Sequence, residues 1–161
     1  MTAAAPLMLH QEVVQPGWVD YNDHLNDGYY LVVFSNATTA LMDHIALGPA
    51  EREATGHTFF TLEMHINYLK EVMGGTEVRV ATQILGHDEK RLHIFHTMFA
   101  AGSTEPVATN EQMQINYDMK ARRTCPFLPQ VLAKIEAIAR VQAGLPRPAN
   151  AGRNITLAKK G

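Results

Sequence analysis

Between Thr58 and Tyr117 the chain alternates apolar and polar residues in long stretches separated by short turns, and only extended strands have that period of two. In the first stretch, Thr58 to Val72, Leu62, Met64, Ile66 and Tyr68 point one way and Glu63, His65, Asn67, Leu69 and Glu71 the other. Met73-Gly74-Gly75 turns the chain, after which Val78, Val80, Thr82 and Ile84 alternate with Glu77, Arg79, Ala81 and Gln83. Turns at His87 to Lys90 and Gly102 to Thr104 lead into Arg91 to Ala101 and Val107 to Tyr117. The pattern predicts three consecutive hairpins.

Upstream the period changes. Leu7 to Val14 reads as a short strand ended by Pro16-Gly17, and Tyr30, Val33, Phe34, Ala37, Leu41 and Ile45 then recur at helical spacing. Asn26 or Asp27 caps this helix and Gly48-Pro49 stops it. Its other face carries Ser35, Asn36 and Asp43, so a single stripe is fit for burial. A second helix is predicted over Pro129 to Gln142. This order defines an α+β domain, an antiparallel sheet wrapped around one long central helix. At 161 residues and 46% hydrophobic content it is one domain over 1–144, with 145–161 as a loosely ordered tail. One helix cannot cover a whole sheet, so an edge stays open and a homodimer or homotetramer is expected.

Chemistry concentrates in Trp18 to Asn26, where Asp20, Asn22, Asp23, His24 and Asn26 crowd between two apolar segments. The net charge of -2, without a dense Lys/Arg run, points to neither nucleic acid nor an anionic membrane as partner. The single cysteine, Cys125, leaves no disulfide framework, and the N-terminus has neither a basic start nor a long apolar core, so a cytoplasmic protein is expected. His93 and His96, three apart on a strand, face opposite ways, and no other histidine pair has metal-ligand spacing. Neither a metal nor a cofactor is expected. Cys125, far in sequence from any histidine, reads as a buried thiol.

Asp20-Tyr21-Asn22-Asp23-His24-Leu25-Asn26, leading into an apolar helix, resembles the Asp-x-Asn-x-His-x-Asn signature of the hot dog fold thioesterases, acyl-carrier-protein thioesterases included. The resemblance spans about residues 8 to 118, judged by the order of elements. Trp18 to His24, Thr61 to His65, and Leu85 to His93 look most like the betainyl-CoA thioesterases of carnitine breakdown. The resemblance implies an acyl-CoA substrate, with Asp20, Asn22 and His24 at catalytic positions and Glu71 where the strand glutamate falls. Glu63 competes with Glu71 for that last role.

Hydrolysing a thioester needs an activated water or carboxylate, a polarised carbonyl and a stabilised oxyanion. Asp20 suits the nucleophile or base, His24 the orientation of water, Asn22 an amide contact, and N–H groups near Gly28 at the helix start the oxyanion. Asn26, Gly28 and Tyr29 border the substrate, while the rings of Trp18 and Tyr21 suit a quaternary ammonium, which is held by aromatic faces. The same residues also suit bland tasks: Asp20 and Asn22 an Asx turn, His24 a structural histidine, the glutamates a solvated face. Two rival activities fit such a chain, a hot dog hydratase or dehydratase and a noncatalytic acyl-CoA-binding protein.

Overall fold

The apolar stripe finds its core. In the computed structural model, which describes residues 4–157, helix α1 (Asp27–His44) buries Tyr30, Val33, Phe34, Ala37, Thr38 and Leu41. It starts where the Asn26 side chain accepts the Gly28 N–H at 3.1 Å, with Asp27 favourably placed in the first turn. It ends at His44, short of Gly48-Pro49, because Ala46 takes a left-handed conformation. Pro49, pre-set for a first helical position, instead opens a short helix the periodicity did not predict, α2 (Pro49–Thr55), closed by Gly56 at φ 87°.

Strands β1 (Leu7–Val13), β2 (His57–Tyr68), β3 (Glu77–His87), β4 (Arg91–Ala100), β5 (Pro106–Asp118) and β6 (Arg123–Thr124) form one antiparallel sheet in the order β1-β3-β4-β5-β2, with β6 beside β5. The sheet curls around α1, and α3 (Pro129–Gln142) packs at the far end, where Phe127, Val131 and Ile135 join Leu41, Ile45, Leu92 and Ile94. This is the hot dog architecture.

Two expectations need correction. The β3–β4 and β4–β5 links are hairpins, but β2 pairs with β5 while β3 pairs with β1, so the segment between β2 and β3 crosses the sheet from one side to the other. Strand β2 also stops at Tyr68 rather than Val72. Leu69 and Lys70 both donate to the Val107 carbonyl, at 2.9 and 3.0 Å, and the chain then peels away to pair with the polar loop instead. A segment whose N–H and C=O groups find partners outside the ladder leaves the sheet whatever its alternation.

Between the two apolar halves of the core runs a polar band. Asn110, Gln112, Gln114 and Asn116 alternate along β5, all 2% exposed or less. Gln114 donates to Gln112, Gln112 to Asn110, and Thr38 on α1 donates to Gln112 at 3.1 Å. His96, fully buried, contacts Thr38 at 3.0 Å and Thr82 at 2.9 Å. Asn116 donates to the Cys125 and Pro126 carbonyls at 3.1 and 2.9 Å, so each amide takes part in a bond, although Asn116 Oδ1 has no partner among the described residues.

Gln142 ends α3 and completes the sheet where β1 runs out: its Oε1 accepts the Ile84 N–H at 2.8 Å and its Nε2 donates to the Thr82 carbonyl at 3.1 Å. Gln142→Ala, which strands both backbone groups, is expected to lower unfolding free energy by about 2 kcal/mol, read by urea denaturation. After α3, within the described residues, Gln83 donates to the Pro146 carbonyl at 3.3 Å and the Gly152 N–H to Glu111 at 2.6 Å; residues 158–161 of the expected tail lie outside the described residues.

Candidate active site

The polar loop is a tight hairpin of its own. Val19 pairs with Leu25, the Asp20 N–H donates to the His24 carbonyl at 2.8 Å, and Asn26 N–H to the Trp18 carbonyl at 2.9 Å. The reversal puts Asp23 at φ 60°, a left-handed conformation that aspartate tolerates better than most residues. Inside the turn, Asp20 Oδ1 accepts the N–H groups of Asn22, at 2.8 Å, and His24, at 3.2 Å. Asp20 is therefore an Asx-type anchor. Both bonds use Oδ1, which leaves Oδ2 for other work.

The segment that peeled off β2 locks this hairpin in place. Leu25 N–H donates to the Val72 carbonyl at 2.7 Å, Gly74 N–H to the Asp23 carbonyl at 3.1 Å, and His24 bridges to Met73. A Cβ on Gly74 would stand 3.1 Å from the Val19 side chain, so a small residue suits the crossing. The pairing brings Glu71 Oε2 to 3.7 Å from His24 Nε2, an ion-pair distance when the imidazole is protonated.

The start of α1, the loop and the departing segment enclose a cleft of about 440 Å³. Its walls carry Asp20, His24, Asn26, Asp27 and Glu71, with Tyr30 and Tyr68. Glu63 is elsewhere, on the outer face of the sheet beside His65, His93 and Glu111. Glu63 and Glu71 do not share a strand face after all, because the strand ends between them. The positions therefore predict that Glu71→Gln lowers kcat at least about tenfold and Glu63→Gln leaves it within about twofold, measured as CoA release.

Other expected residues are arranged differently. Trp18 stacks on Tyr29, centroids 5.6 Å apart, and both pack against the core cluster around Val33 and Val72. Tyr21 stands 96% exposed at the loop tip, and Asn22 is exposed next to it. None of these four lines the cleft. The Gly28 N–H, expected to face a substrate oxygen, is already taken by Asn26 Oδ1 at 3.1 Å and Asp27 Oδ1 at 2.9 Å, so it becomes a donor only if those caps move. The aromatic pair that does line the cleft is Tyr30 and Tyr68, which periodicity places among the core positions of their elements.

His93 and His96 lie on opposite faces, His96 in the core and His93 outside at 2.7 Å from Glu111. Cys125 Sγ comes 3.8 Å from His57 and 3.3 Å from Asn116, proximity the sequence hides. Burial, and then the Asp118 charge, push its thiol above the ordinary value, so it is a poor nucleophile.

A curled sheet on one helix, with a carboxylate–histidine loop at the helix start, defines a hot dog enzyme site, and the chain belongs to the thioesterase-like superfamily, whose sequence profile matches residues 14–135. It is 49% identical to the betainyl-CoA thioesterase of Pseudomonas aeruginosa over 94% of this chain and 95% of that one. It is 41% identical to the L-carnitine dehydrogenase/betainyl-CoA thioesterase of Agrobacterium fabrum, over 93% of this chain but 30% of that longer protein. A Staphylococcus aureus protein solved in complex with CoA superposes with a TM-score of 0.88, at 29% identity, over 98% of this chain and 100% of that one.

Proposed function

We propose that the protein hydrolyses betainyl-CoA to glycine betaine and CoA, the thioesterase step of carnitine breakdown. The observation that carries this reading is the convergence of Asp20, His24 and Glu71 on one cleft at the start of α1. The likeness to the Pseudomonas aeruginosa betainyl-CoA thioesterase supplies the acyl group. In the proposed reaction Asp20, through Oδ2, takes a proton from water as the oxygen attacks the thioester carbon. His24, braced by Glu71, orients that water or donates to the carbonyl oxygen. The C–S bond then breaks, and the CoA sulfur leaves as thiolate and takes up a proton. Asn22 and the Gly28 N–H contribute contacts if the loop tip and the caps shift on binding.

CoA release from betainyl-CoA, acetyl-CoA and crotonyl-CoA tests the reading. Preferred release from betainyl-CoA supports it; hydration of crotonyl-CoA without release indicates a hydratase, and binding without change a carrier. Asp43, the acid a hydratase would need from α1, lies against Gly48 at the opposite end of the helix.

The proposed active form is a cytoplasmic homodimer or homotetramer with the site near a subunit boundary. In support, β2 is an edge strand, and Phe60, Leu62, Leu31 and Val32 are exposed along it and along α1. Among the described residues no single helix is long and apolar enough to cross a membrane; α1 and α2 reach that measure only together, across a 61° bend. Light scattering is expected to give at least twice the 17.9 kDa chain mass, with activity falling on dilution to monomer.

A further inference from the structure

Tyr68 occupies an unusual place. It lies on the helix-facing side of β2, yet is 52% exposed, because the chain leaves the sheet immediately after it. Both ends of its contacts are fixed. Its hydroxyl donates to the Asp27 carbonyl at 3.2 Å, and its ring meets Tyr30 nearly at right angles, 85° with centroids 5.1 Å apart. Tyr30 is in turn held by donation to the Lys70 carbonyl at 3.2 Å. With both hydroxyls engaged on backbone, the half-exposed Tyr68 offers the cleft ring surface rather than a hydrogen-bonding group, and the buried Tyr30 backs it.

Charge completes the picture. Asp20, Asp27 and Glu71 line the same cleft, whereas the ammonium of Lys70, the one Lys or Arg in its wall among the described residues, is drawn off to Glu105. Burial and then the Asp27 charge hold the Tyr68 phenol above its ordinary value. Tyr30 is likewise raised, chiefly by burial, with the Glu71 charge a smaller contribution. A polarised cation that cannot donate a hydrogen bond gains from ring surface and from carboxylates at a distance, and an anion is repelled by both. A neutral group of the same shape gains only from burial.

Resting on the proposed hydrolysis, we infer that Tyr68, fixed by Tyr30 and flanked by Asp27, is the specificity-determining residue that selects a quaternary-ammonium acyl group at this cleft. Tyr30 is a positioning residue; Tyr68 and Asp27 face the ligand. Selection of the cation thus lies with a residue at the end of β2 rather than with the rings of the loop.

The test compares betainyl-CoA with 3,3-dimethylbutanoyl-CoA, in which carbon replaces the charged nitrogen. The wild-type protein is expected to favour the cation, and Tyr68→Leu to reduce the ratio of the two kcat/KM values about tenfold. Tyr68→Phe, which keeps the ring, should hold the ratio within about twofold, and Asp27→Asn should reduce it about threefold. Equal losses on both thioesters in Tyr68→Leu would overturn the assignment. Binding of glycine betaine and of 3,3-dimethylbutanoate, followed by calorimetry, reads selection without turnover. If the wild-type protein prefers betaine, and Tyr68→Leu does not, while no thioester is cleaved, the hydrolysis reading fails and the cation site stands. If the wild-type protein shows no preference, the cation site fails even when CoA is released.

Discussion

Asp20→Asn is expected to lower kcat for CoA release about a thousandfold while the melting temperature stays close to that of the unmodified protein. The asparagine keeps the Oδ1 acceptor that holds the Asn22 and His24 N–H groups, so the loop keeps its shape. What disappears is the second carboxylate oxygen and the charge, and with them the proposed proton acceptor. Asp20→Ala, by contrast, strands both N–H groups and should cost stability as well as rate. Steady-state kinetics beside a thermal melt separate the two effects. An Asp20→Asn protein with normal kcat would remove Asp20 from the chemistry and leave it as a turn residue only.

The second large effect is on acid stability. His96 lies fully buried against Phe34, and burial first, then the charge of His10, lower its pKa from 6.5 to about 3. The unfolded chain therefore takes up a proton on this residue more readily than the folded one. Its neutral form supports the fold fully above pH 6.5, and that support is lost as pH falls from 6.5 toward 3. The limiting slope is about 1.4 kcal/mol per pH unit. Unfolding free energy measured between pH 6.5 and 4.5 should fall on this account by about 2 to 3 kcal/mol. His96→Gln, which removes the titrating group, should lose less over the same range; identical slopes in the two proteins would contradict the assignment.

The sequence discloses what is periodic and conceals what depends on distant partners. Helix α1 and the strands β3 to β5 are legible because burial of one face enforces a spacing that can be counted. The end of β2 is not. Leu69 and Val72 continue the apolar character of the strand, and only the loop across the sheet, through Leu25 and Asp23, draws that segment away. The Gly74-Gly75 turn has local hairpin chemistry, but pairing is decided by where β1 and β5 lie.

The site follows the same division. The Asp20 to Asn26 cluster is recognisable as a string, and the loop geometry that places Asp20 and His24 is local. Glu63 keeps the outer face that alternation gives it, whereas the approach of Glu71 to His24 follows from the strand end, which the pattern does not reveal. Trp18 and Tyr21 looked equivalent as flanking aromatics, yet one is sequestered by Tyr29 and the other projects into solvent, a distinction that only packing creates.

The buried amides of β5 also bear on how this protein can change over time. In an apolar core a residue answers mainly to volume, and neighbours absorb small differences. Along β5, the Gln112 amide nitrogen donates a hydrogen bond to Asn110 while its oxygen accepts from both Thr38 and Gln114. Replacing it alone strands the Gln114 amide, while the Thr38 hydroxyl keeps the Phe34 carbonyl and His96, so a change at this position is felt first along β5. The same arrangement records alignment. A slip of β5 by one residue would turn Glu111 inward and carry Gln112 out of reach of α1. The middle of the core therefore ties the facing of β5 to its alignment with α1, a constraint that an apolar core does not impose.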